Sequence, residues 1–280
     1  MRRITPAIAA RLTVLGIDPT AHPDIIRAAL ATTARPEVVR NLLGTGSKTD
    51  LNYSRLEALT AVTYMSPSTE SGVNLCPMAG SCRVSCLGHS SGRLRYNANM
   101  LTRISKSLLW HLFPASFLKI ISGEIHLHAA RAEALGVQAA VRLNGSTDII
   151  WERHLRGLMS SLPDVRWYDY TKHTALTREL RPDNYHLTFS IDEKPGSWAE
   201  AERWLDAGGN AAVVVGGKLG TSTKAAKAAA QQLIHTGYRG WPVIDGDLHD
   251  GRWLDPPGHV VALYAKGAAL TDDTGFVVRP

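Results

Sequence analysis

Cysteine is absent from this 280-residue chain except in one stretch of eleven residues, where Cys76, Cys82 and Cys86 stand together. An odd number of thiols in close array is a poor disulfide framework. It fits a reducing compartment, where clustered thiols more often bind metal. Long apolar runs are also missing: none approaches the ~20 residues that a membrane-spanning helix needs. The opening Met1-Arg-Arg-Ile-Thr-Pro-Ala-Ile-Ala-Ala-Arg11 is interrupted by Pro6 and Arg11 before a signal-like apolar core develops. It reads as the start of a helix in a cytoplasmic protein with no membrane partner. No block of consecutive basic residues marks a nucleic-acid tail.

What is present describes an ordinary globular chain, 44% hydrophobic and 20% charged, long enough for one large domain with a small appendage. The formal charge of +6 favours a polyanion such as a nucleic acid, a nucleotide or a phosphorylated metabolite. The plainer reading is a mildly basic protein with no such partner.

The first fifty residues read as a helical extension. Thr5-Pro6 supplies an N-cap and first helical position, with Ile8, Leu12 and Leu15 at near-helical spacing before Gly16. Pro23 opens a second segment and Arg35-Pro36 a third. A DNA-binding helix-turn-helix is conceivable here, although short amphipathic helices are usually packing elements. Over 51–280 the pattern changes to short β-prone runs, at 61–65, 137–143, 165–168, 185–189, 211–215, 243–244 and 260–264. Helical stretches lie between most of them: 94–135 with a break near Pro114, then 150–162, 198–207 and 221–235. Such alternation predicts an α/β protein of parallel βαβ units, a closed or incomplete (β/α) barrel, with an open sheet as the alternative.

The segment Cys76-Pro-Met-Ala-Gly-Ser-Cys82-Arg-Val-Ser-Cys86 directly follows the first predicted strand. Three thiolates can hold a soft metal and leave one position open, which suggests chemistry rather than stapling. A [4Fe–4S] cluster on Cys76, Cys82 and Cys86 is the sharper reading, and Ala79 and Gly80 would let the chain wrap closely around it. His89 could instead complete a structural Cys3His zinc site.

Other candidates sit where the later strands end. Asn144, Ser146 and Asp148, from Asn144-Gly-Ser-Thr-Asp148, are candidate cofactor-binding groups, although the same letters make a good turn and N-cap. Gly216-Gly217 runs from a strand toward a helix, so its amides could cradle a phosphate or carboxylate; a plain tight turn is the competing reading. Asp169 and Lys172, beside Tyr168 and Tyr170, could bind a carboxylate or phosphate, or form a surface ion pair. Asp245, with Asp247, reads as a substrate group at a strand tip. Asp169, Lys172 and Asp245 are the candidate catalytic residues.

Three motifs are discounted. The stretch from Gly44 to Thr49 lacks the Gly-Lys pair of a phosphate loop. The acidic run after Asp245 fails as an EF-hand, with Asp250 at the glycine position and Pro256 at the final glutamate. Glu124-Ile-His-Leu-His128 lacks the histidine spacing of a metalloprotease helix.

The cysteine segment resembles the signature loop of the phage gene product eighty-eight family. So do Arg142-Leu-Asn-Gly-Ser-Thr-Asp148, Tyr168-Asp-Tyr-Thr-Lys172 and Val243-Ile-Asp-Gly-Asp247. The resemblance runs from about residue 43 to 266 and leaves the helical extension outside. The layout, a three-cysteine loop after the first barrel strand, is similar to that of radical S-adenosylmethionine enzymes. They usually space the ligands C-x3-C-x2-C, whereas here the gaps are x5 and x3. The likeness implies a cluster on the three cysteines, S-adenosylmethionine on the fourth iron, and radical chemistry on a nucleotide, nucleic-acid or amino-acid-like substrate in the host cytoplasm. The alternative is a non-catalytic phage interaction protein with a structural zinc.

Overall fold

Proline starts the first two helices, where its missing N–H costs nothing. The computed structural model describes residues 1–33, 42–44, 47–86, 88 and 97–280. Helix α1 (Pro6–Val14) is capped by Thr5, whose Oγ1 accepts from the Ile8 amide at 3.3 Å, and α2 spans Pro23–Thr33. Ile8, Leu12, Ile26 and Leu30 are buried within the same apolar cluster as Ile104 and Leu108. The helical extension therefore shares the main core. The predicted third segment falls largely at 35–41, outside the described residues.

Helix α3 (Ser47–Leu56) leads into β1 (Ala58–Val62), three residues earlier than predicted. Glu57 makes the change of direction with φ of 50°. The apolar stretch beyond Val62 is still buried, with Met65 fully covered, but as irregular chain rather than strand. The long helical stretch is two helices, α4 (Asn97–Leu112) and α5 (Pro114–Ala134), divided at Pro114. There follow β2 (Gln138–Arg142), α6 (Glu152–Ser161), β3 (Arg166–Thr171), β4 (Tyr185–Ser190), α7 (Ser197–Asp206) and β5 (Asn210–Val215). Helix α8 (Thr223–Thr236), β6 (Val243–Asp245), β7 (Val260–Tyr264) and the unpredicted β8 (Val277–Val278) complete the chain. Only a 3-10 turn at Leu176–Arg178 joins β3 to β4.

All eight strands pair in parallel, in the order β1-β2-β3-β4-β5-β7-β6, with β8 also on β5. The parallel α/β class is as expected. Among the described residues β1 and β6 are edges, and no strand pairing joins them.

Side chains alternate across the sheet. Trp167, Tyr185, Leu187 and Phe189 join the apolar core on the helix-packed face. Arg142, Tyr168 and Tyr170 take the other face, where the Arg142 guanidinium lies 5.0 Å over the Tyr170 ring and the Tyr168 hydroxyl donates to Asp250 at 3.3 Å. Among the described residues no helix is long and apolar enough to cross a membrane.

Candidate functional site

Parallel strands deliver their following loops to one end of the sheet, which is where ligands bind in such folds. At that end lies a cavity of about 130 Å³ lined by Cys76, Cys82 and Cys86, and by Asp148, Tyr170 and Lys172. The cysteines come from the loop after β1, Asp148 from the loop after β2, and Tyr170 and Lys172 from the end of β3. Ser190, the last residue of β4, also reaches the cavity.

The loops are fixed by close approach and hydrogen bonding. A Cβ on Gly145 would fall 2.7 Å from the Tyr64 ring and 2.8 Å from the Thr63 carbonyl, so only glycine lets the β2 loop lie against the end of β1. The Asp148 amide donates to the Leu75 carbonyl at 3.0 Å, joining that loop to the residue before Cys76. Cys76 Sγ accepts from the Ser68 amide at 3.2 Å, and the Gly88 amide donates to Cys86 Sγ at 3.4 Å. On its far side the loop is tied by Ser85 Oγ, which donates to Asp272 at 2.6 Å.

Burial dominates the thiol chemistry. It pushes the Cys76 thiol up to about 12, with Cys86, Asp148 and Cys82 adding repulsion against the anion. Burial likewise raises Cys86, partly offset by the Gly88 amide. These mutual influences put the three sulfurs in one electrostatic neighbourhood. As placed, however, no three His, Cys, Asp or Glu side chains among the described residues are disposed to hold a metal ion together. His89, the expected fourth zinc ligand, lies outside the described residues.

Asp148 and Lys172 are the sequence-nominated polar groups that reach the cavity. Asp148 accepts from Thr171 Oγ1 and from the Lys172 amide, both at 2.8 Å. The Lys172 ammonium donates to the Ser190 carbonyl at 3.1 Å and lies 3.4 Å from Asp192. Behind Asp148 runs a buried network centred on Arg178, whose side chain is wholly inaccessible. It donates to Glu152 at 2.5 Å, Thr171 Oγ1 at 3.1 Å and the Tyr185 hydroxyl at 3.2 Å.

The remaining nominated residues stand elsewhere. Asn144 is buried: its Oδ1 accepts from Thr147, the Ile149 amide and Trp151, so its side chain holds the loop's shape. Ser146 donates to the Met65 carbonyl at 2.5 Å, and its own carbonyl is 3.7 Å from Cys76 Sγ. Asp169 points to the helix-packed face and accepts from Tyr185 at 2.7 Å and from the Asn144 amide at 2.7 Å. Burial raises its carboxyl to about 7, against the pull of Arg142, Tyr185, the Asn144 amide and Arg178. Asp245 accepts from Tyr264 and from the Asp247 amide, away from the cavity. Gly216 and Gly217 form the turn on which the chain end rests: the Gly216 amide donates to Val278 at 2.9 Å, and Arg279 donates to the Gly217 carbonyl.

Sequence reasoning did not single out Arg178, Glu193, Lys194 or Asp272. The run Asp192-Glu193-Lys194 after a strand tip was a usable signal for the middle pair. A lone Arg178 in a polar loop carried none.

Fold and site together define a parallel α/β protein with a three-cysteine cavity at the carboxyl ends of its strands. The chain belongs to the Gene product 88 family, whose sequence model matches residues 34–280. The match begins inside the segment read as the helical extension. No curated protein and no solved structure matches the chain significantly.

Proposed function

We propose that this phage-type protein is an iron–sulfur enzyme whose cluster is held by Cys76, Cys82 and Cys86. The single observation that carries the reading is that all three cysteines line one cavity at the strand ends, together with Asp148 and Lys172. By donor type the three thiols, the chain's whole cysteine complement, suit a soft metal centre, and loading would draw them closer together than they stand here.

A bound cluster would supply one-electron chemistry and, at the iron without a cysteine, an open coordination position. The chain's own groups have the remaining work. Lys172 and Arg83 put positive charge on the cavity wall, suited to an anionic substrate or co-substrate. Asp192 and Ser190 keep the Lys172 ammonium in place. S-adenosylmethionine is the co-substrate we propose. A nucleotide, nucleic acid or amino-acid-like molecule is the proposed substrate class, on the formal charge of +6. Thiols kept for metal also favour the reducing cytoplasm.

An incomplete barrel is the architecture we favour. Five strands follow in sequence order, which with right-handed crossovers puts the helices on one face. The chain after β6 returns to the opposite edge: Arg55 donates to the Leu248 carbonyl at 2.6 Å, and the Asp250 amide to Asn52 at 3.2 Å. Arg142 of β2 is 3.3 Å from Asp250. Anaerobic reconstitution with iron and sulfide, followed by an assay for 5′-deoxyadenosine from S-adenosylmethionine, tests the enzymatic half. Its formation supports radical chemistry, and its absence from a loaded protein removes it.

A further inference from the structure

The turn after β4 carries three consecutive charged residues: one holds the Lys172 side chain on the cavity wall, and two hold the cysteine loop beside it. Asp192 stands 3.4 Å from the Lys172 ammonium. Glu193 Oε1 accepts from the Ser81 amide at 2.8 Å. Lys194 donates to the Met78 carbonyl. Met78 and Ser81 both lie between Cys76 and Cys82, so two of the three contacts hold the arm of chain joining the first two cysteines.

The fit against that arm is tight. A Cβ on Gly80 would come within 2.5 Å of Glu193 Oε1 and 2.9 Å of Lys194 Cε. Burial pushes the Glu193 carboxyl up, but hydrogen bonds from the Ser81 amide and hydroxyl, with the Lys172 charge, outweigh it and lower it overall. The carboxylate is thus ionised at neutral pH and bonded to backbone, an arrangement stronger than a neutral hydrogen bond. Its Oε2 is buried and has no hydrogen-bond partner among the described residues. Burying a carboxylate oxygen without a partner is costly, yet this side chain keeps its place over Ser81.

We infer that Glu193 is a positioning residue for the cysteine loop: it holds the Gly80–Ser81 backbone against the end of β4 and so fixes where Cys82 stands. Cys76 has separate anchors in the Ser68 amide and the Ser146 carbonyl. Cys86 lies beside the Gly88 amide, and its neighbour Ser85 is tied to Asp272. Loss of Glu193 should therefore act on Cys82 selectively. The inference rests on reading the three cysteines as one site, but on no particular metal.

The test is iodoacetamide alkylation of the metal-free full chain, followed residue by residue by mass spectrometry. Glu193→Ala should speed alkylation of Cys82 at least about tenfold, in line with losing a charge-assisted hydrogen bond. Cys76 and Cys86 should stay within about twofold of wild type on the same scale. Glu193→Gln keeps an acceptor oxygen at Ser81 and should restore the wild-type Cys82 rate. Gly80→Ala, which pushes on the same contact from the other side, should reproduce the Cys82-selective gain even where Glu193→Ala fails to fold. An unchanged Cys82 rate in a folded Glu193→Ala protein overturns the inference, and so does an equal rise at all three cysteines. Because the readout needs no metal, a protein that never takes up iron would overturn the proposed function and leave this result standing.

Discussion

Cys76 Sγ lies 3.7 Å from the carbonyl oxygen of Ser146, seventy residues further along the chain. The contact brings the two most distinctive sequence motifs, the cysteine loop and Asn144-Gly-Ser-Thr-Asp148, to one place. It also explains the division of labour within the second motif. Gly145 permits the approach, Asn144 holds the turn, and Asp148 reaches the cavity.

Arg178 is buried without solvent and is shared by Glu152, Thr171 and Tyr185. Removing one partner of a buried pair leaves an uncompensated charge, so Glu152→Ala should cost about 3–5 kcal/mol of stability. Replacing both partners at once, Glu152→Leu with Arg178→Met, leaves neither charge behind and should cost less than Glu152→Ala alone. Urea denaturation of the single and double variants checks the order; a larger loss for the double variant would contradict it.

Asp169 sets a pH dependence. Burial raises its carboxyl to about 7, above the ~3.9 of an unfolded chain. A raised pKa means that the folded state prefers the protonated form. That stability is fully present below about pH 4 and is lost as pH rises through about 7. Wild type should therefore lose stability relative to Asp169→Asn across that window and run parallel to it above. Unfolding free energies for the two proteins at a series of pH values give the difference curve. A flat curve would mean that Asp169 does not titrate there.

Cys76 predicts the proton cost of loading. A thiol pushed up to about 12 by burial is protonated at neutral pH, and a metal must displace that proton. Apparent metal affinity should then rise by about tenfold per pH unit for each thiol proton released. Calorimetric titration in buffers of different ionisation enthalpy counts those protons, with none released as the contrary result.

Much of this arrangement was legible in the sequence, because apolar runs and proline breaks are local signals. The split at Pro114 is one example, and the strand and helix alternation from 137 onward is another. Strand β1 was misplaced because Thr63, Tyr64 and Met65 have the composition of a strand; Thr63 still bonds through its backbone to Arg142 and Gly145, but the ladder ends there and Met65 is buried by packing alone. At the site, the cysteines, Asp148 and Lys172 were found from residue type and position after strands. Asp169 was nominated on the same grounds but faces the other side of the sheet, because strand residues alternate and Tyr170 and Asp169 cannot both look inward. Glu193 and Arg178 act through contacts 112 and 26 residues away; the charged run after β4 marks Glu193 but not its partner, and nothing local marks Arg178.

The most direct test of the account is the metal and sulfide content of anaerobically purified protein, measured beside a protein in which Cys76, Cys82 and Cys86 are all alanine. The wild-type chain should hold about four irons and four sulfides and be brown, with both the metal and the colour lost in the triple variant. A colourless wild-type protein holding one zinc, or one holding no metal after reconstitution with iron and sulfide, would contradict it.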